Sequence, residues 1–394
     1  MSRRRVLFIT HTVAMLGANS SILRLIQELR AGYDIEPVVL MPQVHPNYAN
    51  RNLLKTCKEY HIECYSFRFY WFKEHRNWKA YLKCISNLLW YPRILWKMRG
   101  KKYDIIHSNG SVISLGALIS RVKRTPHVWH LRELGKLGLN LQPLFGSSYE
   151  KWVYGHGDIF IAISKSVKDY YSCIIPEKKI RMIYNGVLPP YEQFISVHNN
   201  EIIQFCMVGL LSDQKNQIES LIAADILVNR WNVTRFHLSF IGFEEVEYTK
   251  KLRTFILEKG LSDYVTFMGE CKDVSAQLCH MDVGLMLSSF EAFGRVTVEY
   301  MMHGLAVIAS DSGANHEIIE DGFSGVIYRL SDCDILAKKM KIFIDNPELV
   351  QQYAQRGRAR ALQLFTSERN TCQVYEVYSQ VAPNAFSLRR DVVT

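Results

Sequence analysis

Three short apolar runs in the second half of the chain each stop at a glycine: IQFCMV (203–208) at Gly209, HLSFI (237–241) at Gly242 and YVTFM (264–268) at Gly269. Stretches of helical period, 217–228 and 249–259, separate them. Short strands this rich in apolar residues suit a buried sheet, and a helix between consecutive strands makes the crossover that a parallel pair needs. The alternation continues through a short helix at 274–278, a strand at 282–287, a helix at 296–302 and a strand at 305–309, then helices at 334–345, 347–365 and 367–381. Such an order restricts the fold to a parallel sheet layered with helices.

The first half repeats the scheme. A strand at 5–10 leads through the loop 16–21 (LGANSS) to a helix at 22–29, and strands follow at 36–40, 104–108, 127–130, 159–163 and 181–184. Helical stretches lie at 47–61, 111–121 and around 148–155, and Ser164 is placed as N-cap of a helix running through Tyr171. Asn185-Gly186 closes the last strand, and Pro189-Pro190 opens a polar segment. The reading is an amino-terminal domain at 1–190, a linker at 191–200 and a second domain at 201–375. At 394 residues both domains have room for a core.

With 48% hydrophobic and 22% charged residues the chain has a globular composition, and no apolar run reaches the roughly 18 residues of a spanning helix. The basic start MSRRRVLFIT turns polar at Thr10 and His11, too early for a signal peptide, and reads as a strand. Nine cysteines without paired spacing suit a reducing cytoplasm rather than a disulfide framework or a zinc site.

The chemistry concentrates at 288–317, SSFEAFGRVTVEYMMHGLAVIASDSGANHE. Glu291 and Glu299 bracket a Phe293-Gly294 turn that opens a helix near Arg295. The free N–H groups of that first turn, at the positive end of the helix dipole, suit a diphosphate. The two carboxylates suit hydroxyls of a sugar and a ribose. Two glutamates eight apart are common by chance, so the context carries the reading.

That context resembles the donor-binding region of retaining glycosyltransferases of family 4, on Glu291, Phe293, Gly294, Glu299, Gly304, Gly313 and Glu317, with Ala292 and Ala314 where glycine is usual. The resemblance runs over nearly the whole chain. It implies the GT-B architecture: two Rossmann-like, doubly wound parallel-sheet domains facing across a cleft, with the last helix, about 376–394, returning to the first domain. It also implies transfer of a sugar, with retention, from a nucleoside-diphosphate donor, a UDP-sugar foremost, to a hydroxyl of a lipid-linked or glycan acceptor in cell-surface polysaccharide synthesis. No metal or other cofactor is required by this family, because cations and helix dipole stabilise the leaving diphosphate. The Asp332-Cys333-Asp334 triplet is accordingly read as a helix cap.

Carried over residue by residue, the resemblance gives His130, Glu291 and Lys215 catalytic roles. His130 faces the transferred sugar and Glu291 holds its hydroxyls. Glu299 holds the ribose, and Lys215 with the amides near Gly17, Gly209 and Gly294 meets the diphosphate. Phe293 and Arg295 complete the donor site. Leu210 stands where the family carries an arginine, and Arg295 is the cation expected to compensate. His11, Asn109 and Glu133 are lesser candidates on the acceptor side. Two other readings use the same residues: a sugar-nucleotide epimerase or phosphorylase of this architecture, or a non-catalytic nucleotide-sugar-binding partner, for which Leu210 is the clue.

Charge is uneven. Residues 1–195 carry 29 Lys and Arg against 13 Asp and Glu, a balance of +16, while the remainder balances at −6, which together return the overall +10. Within 67–102 lie four of the seven tryptophans (Trp71, Trp78, Trp90, Trp96), ten basic residues and one acid, Glu74. Basic residues interleaved with tryptophan match an anionic membrane surface. The expectation is a cytoplasmic protein held peripherally at the inner face of the membrane, with 80–89 packed in the core. No nucleic-acid module is recognisable, so nucleic acid is not expected as a partner.

Overall fold

The apolar runs become strands and the periodic stretches, in whole or in part, helices in the computed structural model, which describes residues 3–15, 17–43, 52–135, 141–190, 201–271 and 273–386. The chain divides into two units, Met1–Gly186 with Ser367–Thr394, and Val187–Thr366. The proposed linker 191–200 lies outside the described residues.

The first unit contains, in order, β1 (Arg4–Thr10), α1 (Gly17–Tyr33), β2 (Ile35–Pro42), α2 (Leu53–Glu59), β3 (Glu63–Phe67), β4 (Lys73–Glu74), α3 (Trp78–Lys97), β5 (Ile105–Asn109), α4 (Leu115–Lys123), β6 (His127–Leu131), β7 (Gln142–Pro143), α5 (Gly146–Gly155), β8 (Ile159–Ala162), α6 (Lys165–Ser172) and β9 (Ile180–Met182). Seven of these strands form one sheet in the order β3-β2-β1-β5-β6-β8-β9, with every neighbour parallel. Strand alternation divides β1 between two cores, one receiving Val6 and Phe8 and the other Leu7 and Ile9. The chain returns to this unit at Ser367, where a final helix sends Val374, Tyr375, Val377 and Tyr378 into the Val6–Phe8 core.

The second unit contains β10 (Ile203–Val208), α7 (Gln217–Asp225), β11 (Phe236–Ile241), α8 (Val246–Glu258), β12 (Val265–Gly269), α9 (Val274–Leu278), β13 (Val283–Met286), α10 (Arg295–Met302), β14 (Ala306–Ser310), α11 (Asn315–Ile318), β15 (Val326–Tyr328), α12 (Cys333–Asp345) and α13 (Pro347–Leu364). The last described helix, α14, is Ser367–Val381, so the helix expected at about 376–394 is seen up to Val381, and 387–394 lie outside the described residues. The six-stranded parallel sheet runs β12-β11-β10-β13-β14-β15. The order reverses between β10 and β13, so the loops leaving these two strands diverge and open a crevice at their carboxyl ends.

The strand-ending glycines have a geometric cause. Gly209 N–H donates to Ile241 O at 2.9 Å and Gly242 N–H to Gly269 O at 2.8 Å, extending the ladder past the strands. Gly209 and Gly242 adopt φ of +144° and +151°, and a Cβ on Gly242 would lie 1.9 Å from Gly209 O. Only glycine permits that approach.

Several sequence expectations need correction. The loop expected at 16–21 is helical from Gly17, because the buried Asn19 donates from Nδ2 to Thr12 O at 2.9 Å and Ala14 O at 2.8 Å, tying the first turn to the strand end. The helix expected at 111–121 begins at Leu115, since Ser111 N–H is taken by Glu133 Oε2 at 2.8 Å. The helix expected at 47–61 is seen from Leu53 to Glu59, and 44–51 lie outside the described residues. Strand β3 (ECYSF) was not expected: it is polar and half-buried, so alternation is faint. Within 80–89 only Ala80, Cys84 and Asn87 are buried, whereas Leu82, Ile85, Leu88 and Leu89 face solvent. Ser164 and Asp332 do cap their helices, accepting from Val167 N–H at 3.1 Å and Ile335 N–H at 3.0 Å.

Candidate active site

In the second unit two loops meet over the crevice between β10 and β13. Past Gly209 the chain folds back, with Ser212 O accepting from Lys215 N–H at 3.0 Å and Asn216 N–H at 3.1 Å. The loop after β13 is stitched to it: Ser289 N–H donates to Gln214 O at 3.0 Å, Gln214 Nε2 to Phe290 O at 3.3 Å and Asn216 Nδ2 to Leu287 O at 3.3 Å. Lys215 and Glu291 thereby meet in a hydrogen-bonded ion pair, 76 residues apart in sequence. The lysine stem lies over Gly209, with Cε 3.7 Å from where a Cβ on that residue would sit.

Glu291 is held from behind. Its carbonyl accepts from Ala314 N–H at 3.1 Å, and a Cβ on Gly313, whose φ is +56°, would lie 1.9 Å from that oxygen. Gly313 is therefore a steric requirement of the Glu291 loop. Gly294, at φ +85°, turns the chain into α10. Phe293 points inward, edge-on to Phe365 at a centroid distance of 5.9 Å, and anchors that turn. One turn into α10, Glu299 accepts from Arg295 Nε at 2.8 Å. Both pairs remain partly exposed. The crevice thus carries two carboxylates, two cations and the amino end of α10, whose first-turn N–H groups lack intrahelical acceptors. Leu210 is exposed.

His130 and Gly17 belong to the first unit. Gly17 is the exposed first residue of α1, and a Cβ there would meet open space, so no crowding demands glycine. His130 is wholly buried on β6. Its Nδ1 lies 3.2 Å from His107 Nε2 and 3.4 Å from Arg132 Nη2. A guanidinium only donates, so Nδ1 accepts and the proton of the neutral ring sits on Nε2. Burial, then the nearby Arg132 and His107, push the His130 pKa well below its ordinary value, so the ring is neutral. Its Nε2 is a buried donor with no partner among the described residues. His107, similarly depressed by burial and by Arg132, meets Tyr378 OH through Nδ1 at 2.7 Å.

Arg132, two residues beyond His130, is a functional candidate that sequence reasoning missed. It is buried, and hydrogen bonds to Asn109 Oδ1 and Asn185 Oδ1 hold it. No local motif marks it, since those partners are 23 and 53 residues away. Nearby, His11 Nδ1 meets Asn109 O at 2.9 Å and its Nε2 lies 3.4 Å from Glu133 Oε1. His11, Asn109 and Glu133 therefore share the strand ends of β1, β5 and β6.

Comparison with known proteins agrees with this anatomy. The model of glycosyl transferases group 1 matches residues 191–360, and that of Glycosyltransferase Family 4 matches residues 16–189. The chain is 30% identical over 320 residues to the putative glycosyltransferase EpsD of Bacillus subtilis, covering 75% of this chain and 81% of that relative. It is 29% identical over 138 residues to the lipopolysaccharide core biosynthesis mannosyltransferase LpcC of Rhizobium leguminosarum, covering 35% and 39%. Among solved structures, HepE of Anabaena in complex with UDP superposes with a TM-score of 0.77 at 21% identity, over 95% of this chain and all of that one.

Proposed function

This chain belongs to glycosyltransferase family 4, and we propose that it transfers a sugar, with retention, from a UDP-sugar to a hydroxyl of a lipid-linked or glycan acceptor in cell-surface polysaccharide synthesis. The observation that carries the reading is the Lys215–Glu291 pair at the reversal point between β10 and β13. Unliganded, each group neutralises the other. A donor diphosphate takes the Lys215 ammonium and the first-turn amides of α10, and the released Glu291 carboxylate accepts hydrogen bonds from sugar hydroxyls. Arg295 and Glu299 work likewise, the carboxylate on the ribose and the guanidinium near the diphosphate, in the place left uncharged by Leu210. His130 Nε2–H supplies a neutral donor to a sugar oxygen.

In the reaction the bond from the anomeric carbon to the diphosphate breaks. The acceptor oxygen bonds to the same face, and its proton passes to the departing diphosphate. Lys215 and the α10 amides, aimed at the oxygen where negative charge grows, lower the barrier electrostatically. The UDP complex of HepE supports the choice of nucleotide, and the LpcC likeness supports the polysaccharide setting. Among the described residues no helix is long and apolar enough to cross a membrane. Peripheral contact at the cytoplasmic face through the basic, tryptophan-rich stretch 67–102 is part of this proposal.

Thermal-shift screening of UDP, GDP, ADP and dTDP sugars tests the donor, because a ligand bound only by folded protein raises its Tm. A UDP-sugar should give the largest shift, and the transferred sugar should keep its anomeric configuration by NMR. Inversion, or no shift with any of the panel, would refute the proposal.

A further inference from the structure

Helix α3 is apolar on two opposite faces. Ala80, Cys84, Asn87 and Ile94 point into the unit. Trp78, Leu82, Ile85, Leu89 and Trp96, spaced by three, four or seven, form a second stripe in solvent, with Trp78 68%, Leu89 63% and Trp96 61% exposed and the adjacent Leu88 75% exposed. A surface helix normally carries one such stripe; a second marks a binding face.

Beside Leu88 the surface recedes into a groove of about 450 Å³ between α3, α4 and α5, lined by Cys84, Ile85, Leu88, Ala117, Leu118 and Trp152. That volume lies in the range of small-molecule sites, about 300–1,000 Å³. Its few polar groups are already occupied. Asn87 exchanges both amide hydrogen bonds with Tyr70, each at 2.9 Å, and Tyr91 OH meets Ser114 Oγ at 3.2 Å. On the lining, Arg121 Nη1 donates to His156 Nε2 at 3.0 Å, and His156 Nδ1 donates to Trp152 O at 2.8 Å, leaving one net positive charge there. The three helices carry seven Lys and Arg against one acid, Glu150, which is buried and paired with Lys73. A second copy of so basic a face would be repelled, whereas an anionic amphiphile complements both the charge and the apolar recess.

We propose that this groove seats the hydrocarbon chain of the acceptor's lipid anchor, a prenyl or acyl phosphate or diphosphate whose anionic head is drawn by the basic residues of the three helices, while the outer stripe of α3 rests on the bilayer. The inference rests on the proposed lipid-linked acceptor and identifies where its apolar part binds.

Farnesyl diphosphate, used below its micelle concentration, is the probe, and calorimetry of the full chain the readout. Saturable binding is expected for the wild type, with at most partial competition from inorganic pyrophosphate, which mimics the head but not the chain. Leu88→Glu, at an exposed position that should not affect folding, should weaken it about tenfold, and Leu118→Trp, which fills the groove, should do the same. UDP titration of each variant, expected to match the wild type, reports separately on the donor site, so failure of the groove and failure of the transferase reading are distinguishable. Equal binding by L88E and L118W, or full displacement by pyrophosphate, overturns the proposal. So does association with phosphatidylglycerol vesicles but not with monomeric farnesyl diphosphate, which would reduce the face to a general membrane contact. A concentration-dependent dimer that L88E dissolves, without lipid binding, would assign the face to a second copy and also overturn it.

Discussion

The two sheets end in contrasting chemistry. At the carboxyl ends of β10 and β13 the groups are charged and partly wet: Lys215 on Glu291 and Arg295 on Glu299. Around the ends of β1, β5 and β6 the buried groups are, apart from Arg132, formally neutral: His130, His107, Asn109, Asn185 and Tyr378. A partly exposed ion pair contributes little to stability and opens readily to an incoming ion. A desolvated polar network is stiff, and losing one member strands the others. The first arrangement suits an exchange of partners on binding, the second a fixed donor geometry.

Removing a member from each side should separate these roles. Lys215→Ala should lower transfer turnover by about 10²–10³, or about 2.7–4 kcal/mol, with little change in the unfolding midpoint, measured by steady-state kinetics and urea titration. Wild-type turnover would show that the lysine is a solvated loop residue. Arg132→Ala should instead cost stability, about 2–4 kcal/mol in urea unfolding, because the Asn109 and Asn185 side-chain oxygens lose their donors inside the protein. If R132A unfolds at the wild-type midpoint, the network is not the scaffold described.

Gly313→Ala tests the support of the charged site. With φ at +56° and the Glu291 carbonyl 1.9 Å from the new Cβ, it should cost about 1–3 kcal/mol in urea unfolding and weaken UDP-sugar binding measured by calorimetry. Unchanged UDP-sugar affinity would uncouple Gly313 from the placement of Glu291.

The buried histidines give the smallest effect and a clear sign. His107 and His130 titrate well below 6.5 in the folded protein, and burial lowers His127 to about 3. The unfolded chain therefore binds more protons below about pH 6.5, and stability falls as pH falls through that value, by up to about 1.4 kcal/mol per pH unit for each histidine. His130→Gln should reduce the slope between pH 6 and pH 5 by one proton's worth, whereas the loss of activity in K215A should leave it unchanged. An unaltered slope in H130Q would mean that His130 is not held neutral.

Much of the charged side was legible because it is written in backbone requirements. Gly209, Gly242 and Gly269 mark strand ends of positive φ, with Gly242 pressed against the Gly209 carbonyl, and Gly294 and Gly313 mark turns of positive φ around Glu291. The buried side left less trace. His107 meets Tyr378 across 271 residues, and nothing near Arg132 announces that Asn185 will hold it. Gly17 shows the converse: a glycine in a motif-like loop that proves to open a helix, with space around it. In α3 composition gave the apolar character, but it could not distinguish the stripe facing the core from the stripe facing solvent. Both have helical spacing.

The exchange of partners at Lys215 and Glu291 is tested most directly by titrating UDP and UDP-glucose into wild type, K215A and Glu291→Gln by calorimetry. The account expects K215A to lose most affinity for both ligands. E291Q should bind UDP at least as tightly as wild type, its lysine no longer engaged, while losing the extra affinity that the sugar confers. Wild-type UDP affinity in K215A, or an undiminished sugar increment in E291Q, would contradict it.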